Sequence, residues 1–218
     1  MTFRIDGRAM KKVGLKILCG SWLLISCLTC SASQVLFRTG PDQLMFDSNG
    51  HGLPSISTNS TGAYAATDTF TLSASSIVQA VSFSAWLDLG VKPSSVSWAI
   101  TSAPGSGVIT SGTGALSYVL SAPDVCGCDV YWSTFSLNVP LAAGNYWLLL
   151  SDGAPSMSWG LYKETGVSEQ LRNGTPFLSW GTQSFEVRGA TVPEPGALSL
   201  ITDILALAAL WRTRVSVG

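Results

Sequence analysis

Charge is scarce in this 218-residue sequence: Asp, Glu, Lys and Arg together make up 11% of it, where a soluble protein usually carries about a quarter. Basic residues are not in excess either, since the formal net charge is −1. Nothing resembles the basic face that a nucleic acid requires, and no nucleic-acid partner is expected. Histidine occurs once, at His51. One imidazole in the glycine-flanked stretch Asn49-Gly50-His51-Gly52 supplies neither a nucleophile–base pair nor a zinc site, and it reads as a loop residue. The longest apolar runs, residues 17–28 and 197–211, are shorter than the roughly 20 residues that span a bilayer.

Where the few charges fall is informative. Residues 1–33 carry Arg4, Arg8, Lys11, Lys12 and Lys16 against Asp6 alone, a balance of +4. Residues 190–218 set Arg212 and Arg214 against Glu194 and Asp203 and are neutral, so the 156 residues between them hold −5. Residues 10–16 are rich in lysine, residues 17–28 are apolar, and Ser31-Ala32-Ser33 are small. That order is a secretory signal peptide with cleavage expected after Ala32. Met10 makes a better start of that pattern than Met1. Leu24-Ile25-Ser26-Cys27 offers a competing reading as a lipid attachment site at Cys27.

At the other end stands Val192-Pro193-Glu194-Pro195-Gly196, then the run 197–211, then Arg212 and Arg214. The prolines hold the backbone extended, so a helix begins only after them. The run covers about 22 Å as a helix against a hydrocarbon core of about 30 Å, and Asp203 interrupts it. A carboxylate there costs on the order of 3 kcal/mol on insertion scales, which makes a marginal anchor. The arginines favour a cytoplasmic end. Triplet, short apolar helix and basic end, in that order and position, resemble the PEP-CTERM sorting signal of exported bacterial proteins. The resemblance implies that Pro193, Glu194 and Pro195 are the recognition triplet and Arg212 and Arg214 the basic end. It further implies that an exosortase in the membrane removes the tail.

Residues 34–189 are enough for one domain with a real core. Their apolar residues repeat with a period of two and show no sustained helical pattern. Val81, Phe83, Ala85 and Leu87 share a face, as do Val96, Trp98 and Ile100, then Leu116, Tyr118 and Leu120, then Phe135, Leu137 and Val139. Met157, Trp159 and Leu161 alternate, and so do Phe185 and Val187. Residues 146–150 are apolar on both faces, as in a central strand covered on both sides. Asn49-Gly50, Pro104-Gly105, Ala143-Gly144-Asn145, Asp152-Gly153 and Asn173-Gly174 separate these runs. The expectation is an all-β, antiparallel β-sandwich, jelly-roll-like, flanked by the signal peptide (1–33) and a sorting or anchor segment (190–218) that holds a short hydrophobic helix. The stretch from Phe135 to Leu148 also looks like a strand, turn and strand common in PEP-CTERM exported proteins.

Chemistry-bearing residues are dispersed. Asp42, Asp47, Asp68, Asp88, Asp124, Asp129, Asp152, Glu164, Glu169 and Glu186 are spaced so that no glycosidase pair is singled out. Asp42, Asp47, Ser48 and Asn49 gather oxygens near a glycine, but turn chemistry accounts for them and no metal is expected. Cys126-Gly127-Cys128 offers a strained loop disulfide or two thiols. Asn59-Ser60-Thr61 and Asn173-Gly174-Thr175 match glycosylation acceptors and are read as turns. Trp86 is out of phase with Phe83 and Leu87, and Trp132 with Phe135 and Leu137, so these two rings are the candidates for an exposed sugar-contacting platform.

The reading that follows is a non-enzymatic exported protein with no cofactor, at the cell surface or outside the cell. Its role is structural or adhesive in an exopolysaccharide matrix. The expected partners are signal peptidase, an exosortase, the membrane through the tail before processing, and an exopolysaccharide. The alternative is a carbohydrate-binding module, and a polysaccharide hydrolase comes after it.

Overall fold

Period-two patterning with glycine-marked turns produces strands throughout. The structure, a computed structural model, describes residues 33–40, 56, 58–59, 62–125, 127–152 and 157–193. Among these no residue is helical. Thirteen strands follow in order: β1 Gln34–Arg38, β2 Thr58–Asn59, β3 Gly62–Leu72, β4 Ser76–Asp88, β5 Ser95–Ala103, β6 Ser106–Ala115, β7 Ser117–Val125, β8 Cys128–Leu141, β9 Gly144–Ser151, β10 Ser158–Trp159, β11 Leu161–Arg172, β12 Thr175–Gln183 and β13 Phe185–Thr191.

They form two curled antiparallel sheets. The first runs β1-β13-β4-β8-β7, and β10 continues along β4 beyond β13. The second runs β12-β11-β3-β9-β5-β6, with β2 on β3. Hairpin neighbours such as β5–β6 and β11–β12 alternate with pairs far apart in sequence, such as β1 with β13 and β3 with β9. Long-range pairing of this kind closes the body through its ends, so the first and last strands lie together.

The alternation read from the sequence marks the inward faces. Val81, Phe83, Ala85 and Leu87 of β4 are all buried, and so are Val96, Trp98 and Ile100 of β5 and Phe185 and Val187 of β13. They meet Phe70 and Leu72 of β3, Leu148 and Leu150 of β9, and Phe135 of β8 in one core. Trp159 stands near its middle, fully buried, edge-to-face with Phe83 at 6.1 Å and with Phe185 at 5.4 Å. Its indole Nε1 donates to the Ser184 carbonyl at 3.1 Å, which satisfies the one polar atom of the ring.

β9 lies between β3 and β5; Leu148 and Leu150 are buried in the core, whereas Trp147 and Leu149 on its other face are half-buried. Leu120 departs from the pattern: β7 is an outer strand whose register shifts after Leu120, and that side chain is half exposed. At Gly114 the two sheets come so close that a Cβ there would stand 2.7 Å from Phe135 Cβ. Asn173 and Gly174, both at positive φ (50° and 77°), make the two-residue turn between β11 and β12, the hairpin form that Asn-Gly favours.

Candidate functional site

The tryptophan pair expected to form an open platform lies on the outward face of the first sheet. Trp86 is opposite Val130, and Trp132 is opposite Ser84 and Val119. Register thus sets both rings on the face opposite Phe83 and Leu87. Exposure is another matter. Trp86 is only 3% exposed: β10 pairs along it at Ser158, and Gly160 packs so near that a Cβ there would lie 3.1 Å from the indole nitrogen. The expectation of a platform at Trp86 is thus corrected by a packing feature that strand phase does not encode. Trp132 is half-buried.

Several other sequence candidates are structural. Asp68 is 1% exposed on β3; its Oδ2 accepts from the Gln183 amide at 2.6 Å and its Oδ1 from the Thr69 amide at 2.7 Å. The Gln183 bond ties the end of β12 to β3. Glu186 is 2% exposed and is flanked by the Arg38 guanidinium at 3.4 Å and by Arg188. Asp129 accepts from the Asp124 amide at 3.2 Å and from the Tyr131 hydroxyl at 3.0 Å. Cys128 opens β8 with its Sγ 3.9 Å from Asp88 Oδ1.

Cys126, His51, Asp42, Asp47, Ser48, Asn49, Glu194, Pro195, Arg212 and Arg214 lie outside the described residues. Pro193, the first residue of the triplet, is exposed just after β13. Among the described residues no group of three or more His, Cys, Asp or Glu side chains could hold a metal ion, and no helix is long and apolar enough to cross a membrane.

A different surface draws aromatic and cationic groups together, and no reading of the sequence singled it out. Arg172 ends β11 opposite Tyr64 of β3. Its guanidinium carbon stands 5.8 Å from the Tyr64 ring and 5.7 Å from the Phe177 ring, and those two rings meet edge-to-face at 6.5 Å. Phe177 is 50% exposed. It was invisible as a pair with Leu178 because adjacent apolar residues break period two; a register shift in β12 makes Phe177 an extra residue beside Leu178, on the side of Arg172 and Tyr64. The turn beneath is pinned: Asn173 N donates to the Ala63 carbonyl at 2.8 Å, and its Oδ1 accepts from the Ala63 amide at 3.0 Å.

No known protein-family model matches this chain, and no curated protein matches it. The described body is defined by its fold alone, as an all-β domain of two curled antiparallel sheets.

Proposed function

We propose that this is an exported structural or adhesive protein of the cell surface or extracellular matrix, handed to an exosortase by its C-terminal tail. The observation that carries the reading is the closure of the body. β1 begins at Gln34, two residues after the expected leader cleavage at Ala32. β13 ends at Thr191, two residues before Pro193. These strands pair with each other, Gln34 opposite Gly189. Leader junction and tail junction therefore leave the body side by side. A chain held at one membrane through both signals can complete this fold without either end having to cross the body. Val192 is 41% exposed and Pro193, the first residue of the expected sorting motif Pro193, Glu194 and Pro195, is exposed as well; Arg212 and Arg214 follow it in the sequence.

Within that reading the body is a jelly-roll sandwich. The strand orders β1-β13-β4-β8 and β3-β9-β5-β6 support it, because eight strands wound as paired antiparallel ribbons give two four-stranded sheets of that order. The hairpin β11–β12 and strand β7 then stand outside the eight-strand wrap. Such a scaffold supplies a durable body for a matrix protein.

Fractionation tests the assignment. The native chain reaches the outside of the cell when the exosortase is present and stays with the inner membrane when it is deleted. A variant with Pro193, Glu194 and Pro195 all changed to alanine stays with the membrane in both backgrounds. Equal release of all forms contradicts the reading.

A further inference from the structure

The hairpin that stands outside the eight-strand wrap carries an exposed surface whose chemistry suits one kind of ligand. Ser168, Gln170 and Arg172 share a face of β11, and through register they share it with Trp180, Leu178 and Thr175 of β12 and with Ala66 and Tyr64 of β3. On β3 this is the core-facing side, where Ala66 and Phe70 are buried. Cover falls away along the hairpin. Gln170 is 4% exposed, whereas Leu178 and Phe177 are 47% and 50% exposed. The inner surface of the second sheet thus runs out into a shelf beside the core.

We propose that this shelf binds a neutral polysaccharide chain, with a sugar ring stacked on Phe177 and hydroxyl groups hydrogen-bonded to Arg172. The proposal rests on the matrix reading above and names its partner and its site. Three properties carry it. First, the rings are amphipathic supports: a pyranose presents an apolar C–H face to an aromatic face and keeps its hydroxyls at the rim. Second, the Arg172 guanidinium carbon stands 5.8 Å from the Tyr64 ring centroid and 5.7 Å from that of Phe177, within cation–π range, and a guanidinium presents its N–H donors as a planar fork suited to hydroxyl groups. Third, the support is rigid, since all three residues sit on paired strands or at the pinned Asn173-Gly174 turn. A ring held in place loses little freedom on binding.

The geometry also selects among glycans. Tyr64 and Phe177 are inclined at 68° to each other, so they cannot lie together on the flat face of a crystalline polymer, whereas a single twisted chain can follow them. Residues 34–189 carry −5 overall, and a field of that sign opposes a polyanion as it approaches. A neutral chain meets no such barrier.

The test is affinity electrophoresis of the exported protein through gels containing a soluble β-glucan, a mannan or a polygalacturonate, with thermal melts confirming that each variant is folded. One of the two neutral polymers retards the wild type. Phe177→Ala weakens that retardation about tenfold or more, which corresponds to about 1.4 kcal/mol. Arg172→Lys does likewise, because it keeps the charge and loses the planar fork; Trp132→Ala leaves retardation unchanged. The proposal is overturned if neither neutral polymer retards the protein, if polygalacturonate alone does, or if Trp132→Ala abolishes retardation while Phe177→Ala and Arg172→Lys do not. A protein that is released normally and binds neither polymer loses the shelf and keeps the sorting assignment. One that binds a neutral polymer but is never processed does the reverse.

Discussion

Gln34 and Thr191 touch: the Gln34 side-chain amide donates to the Thr191 hydroxyl at 3.5 Å, across the first and last strands of the body. The contact is exposed and weak in itself. Its meaning is positional, for it puts the start of β1, just after the proposed leader, and the end of β13, just before the proposed sorting motif, at one pole. Cutting the tail after Pro193 should therefore leave the body whole, and the released form should melt within a few degrees of a chain that keeps the tail. Ending the chain at Arg188 should lower the melting temperature sharply, because residues 189–191 then no longer pair with β4, and Gly189 no longer pairs with β1. Thermal melts followed by circular dichroism separate the two cases.

Gly114 and Phe135 set how closely the sheets approach. A methyl at position 114 meets the Phe135 side chain at 2.7 Å from Cβ and from Cδ2. Gly114→Ala should destabilise by about 1–3 kcal/mol, the usual range for overpacking, even though alanine suits a strand no worse than glycine. Denaturant unfolding should show a lowered midpoint with an unchanged slope.

Trp159 is the largest fully buried side chain among the described residues. Trp159→Ala should cost about 3–5 kcal/mol as a large-to-small core change. Trp159→Phe keeps a ring for Phe83 and Phe185 and loses the donor to Ser184. It should cost about 0.5–1.5 kcal/mol, the net value of one hydrogen bond, because the Ser184 carbonyl still accepts from the Ser84 amide at 3.1 Å. The ordering of the two variants by chemical denaturation checks whether packing outweighs the hydrogen bond.

Tyr118 gives a pH signature. Burial pushes its hydroxyl up from 10.0 to about 12, and the same hydroxyl donates to the Pro93 carbonyl. Between those pH values the folded chain keeps a proton that the unfolded chain has lost. Stability from this group is therefore complete below pH 10 and is lost as pH rises towards 12. Tyr118→Phe removes that component. Its melting temperature should fall less steeply than the wild type's between pH 9.5 and about 11.5, and phenolate absorbance should show one tyrosine fewer titrating late.

Most of the fold was legible because its core obeys simple alternation. Val81 to Leu87, Val96 to Ile100 and Phe185 with Val187 are buried as their spacing requires, and Asn173-Gly174 turns where its dipeptide says it should. What failed to show were features set by partners distant in sequence. Trp86 has the phase of an outward residue and is covered because β10 and Gly160 arrive from over 70 residues away. Asp68 has the look of a surface acid and is buried because the Gln183 amide, from the far end of β12, reaches it. The shelf was hidden for a third reason. Phe177 joins Arg172 and Tyr64 through a shift of register in β12, and nothing in Thr175-Pro176-Phe177-Leu178 announces where a strand will slip. Tyr64 and Arg172 become neighbours only once β3 and β11 pair.

The central claim is that two signals, flanking strands that pair, deliver this body and are then removed. Intact mass of the protein recovered from cells with and without the exosortase tests it most directly. The account predicts a species outside the inner membrane that begins at Ser33 and ends near Pro193, formed only when the enzyme is present. A chain that keeps residues 194–218 and stays in the membrane under both conditions contradicts it, and would make the protein a two-sheet body tethered by its own tail.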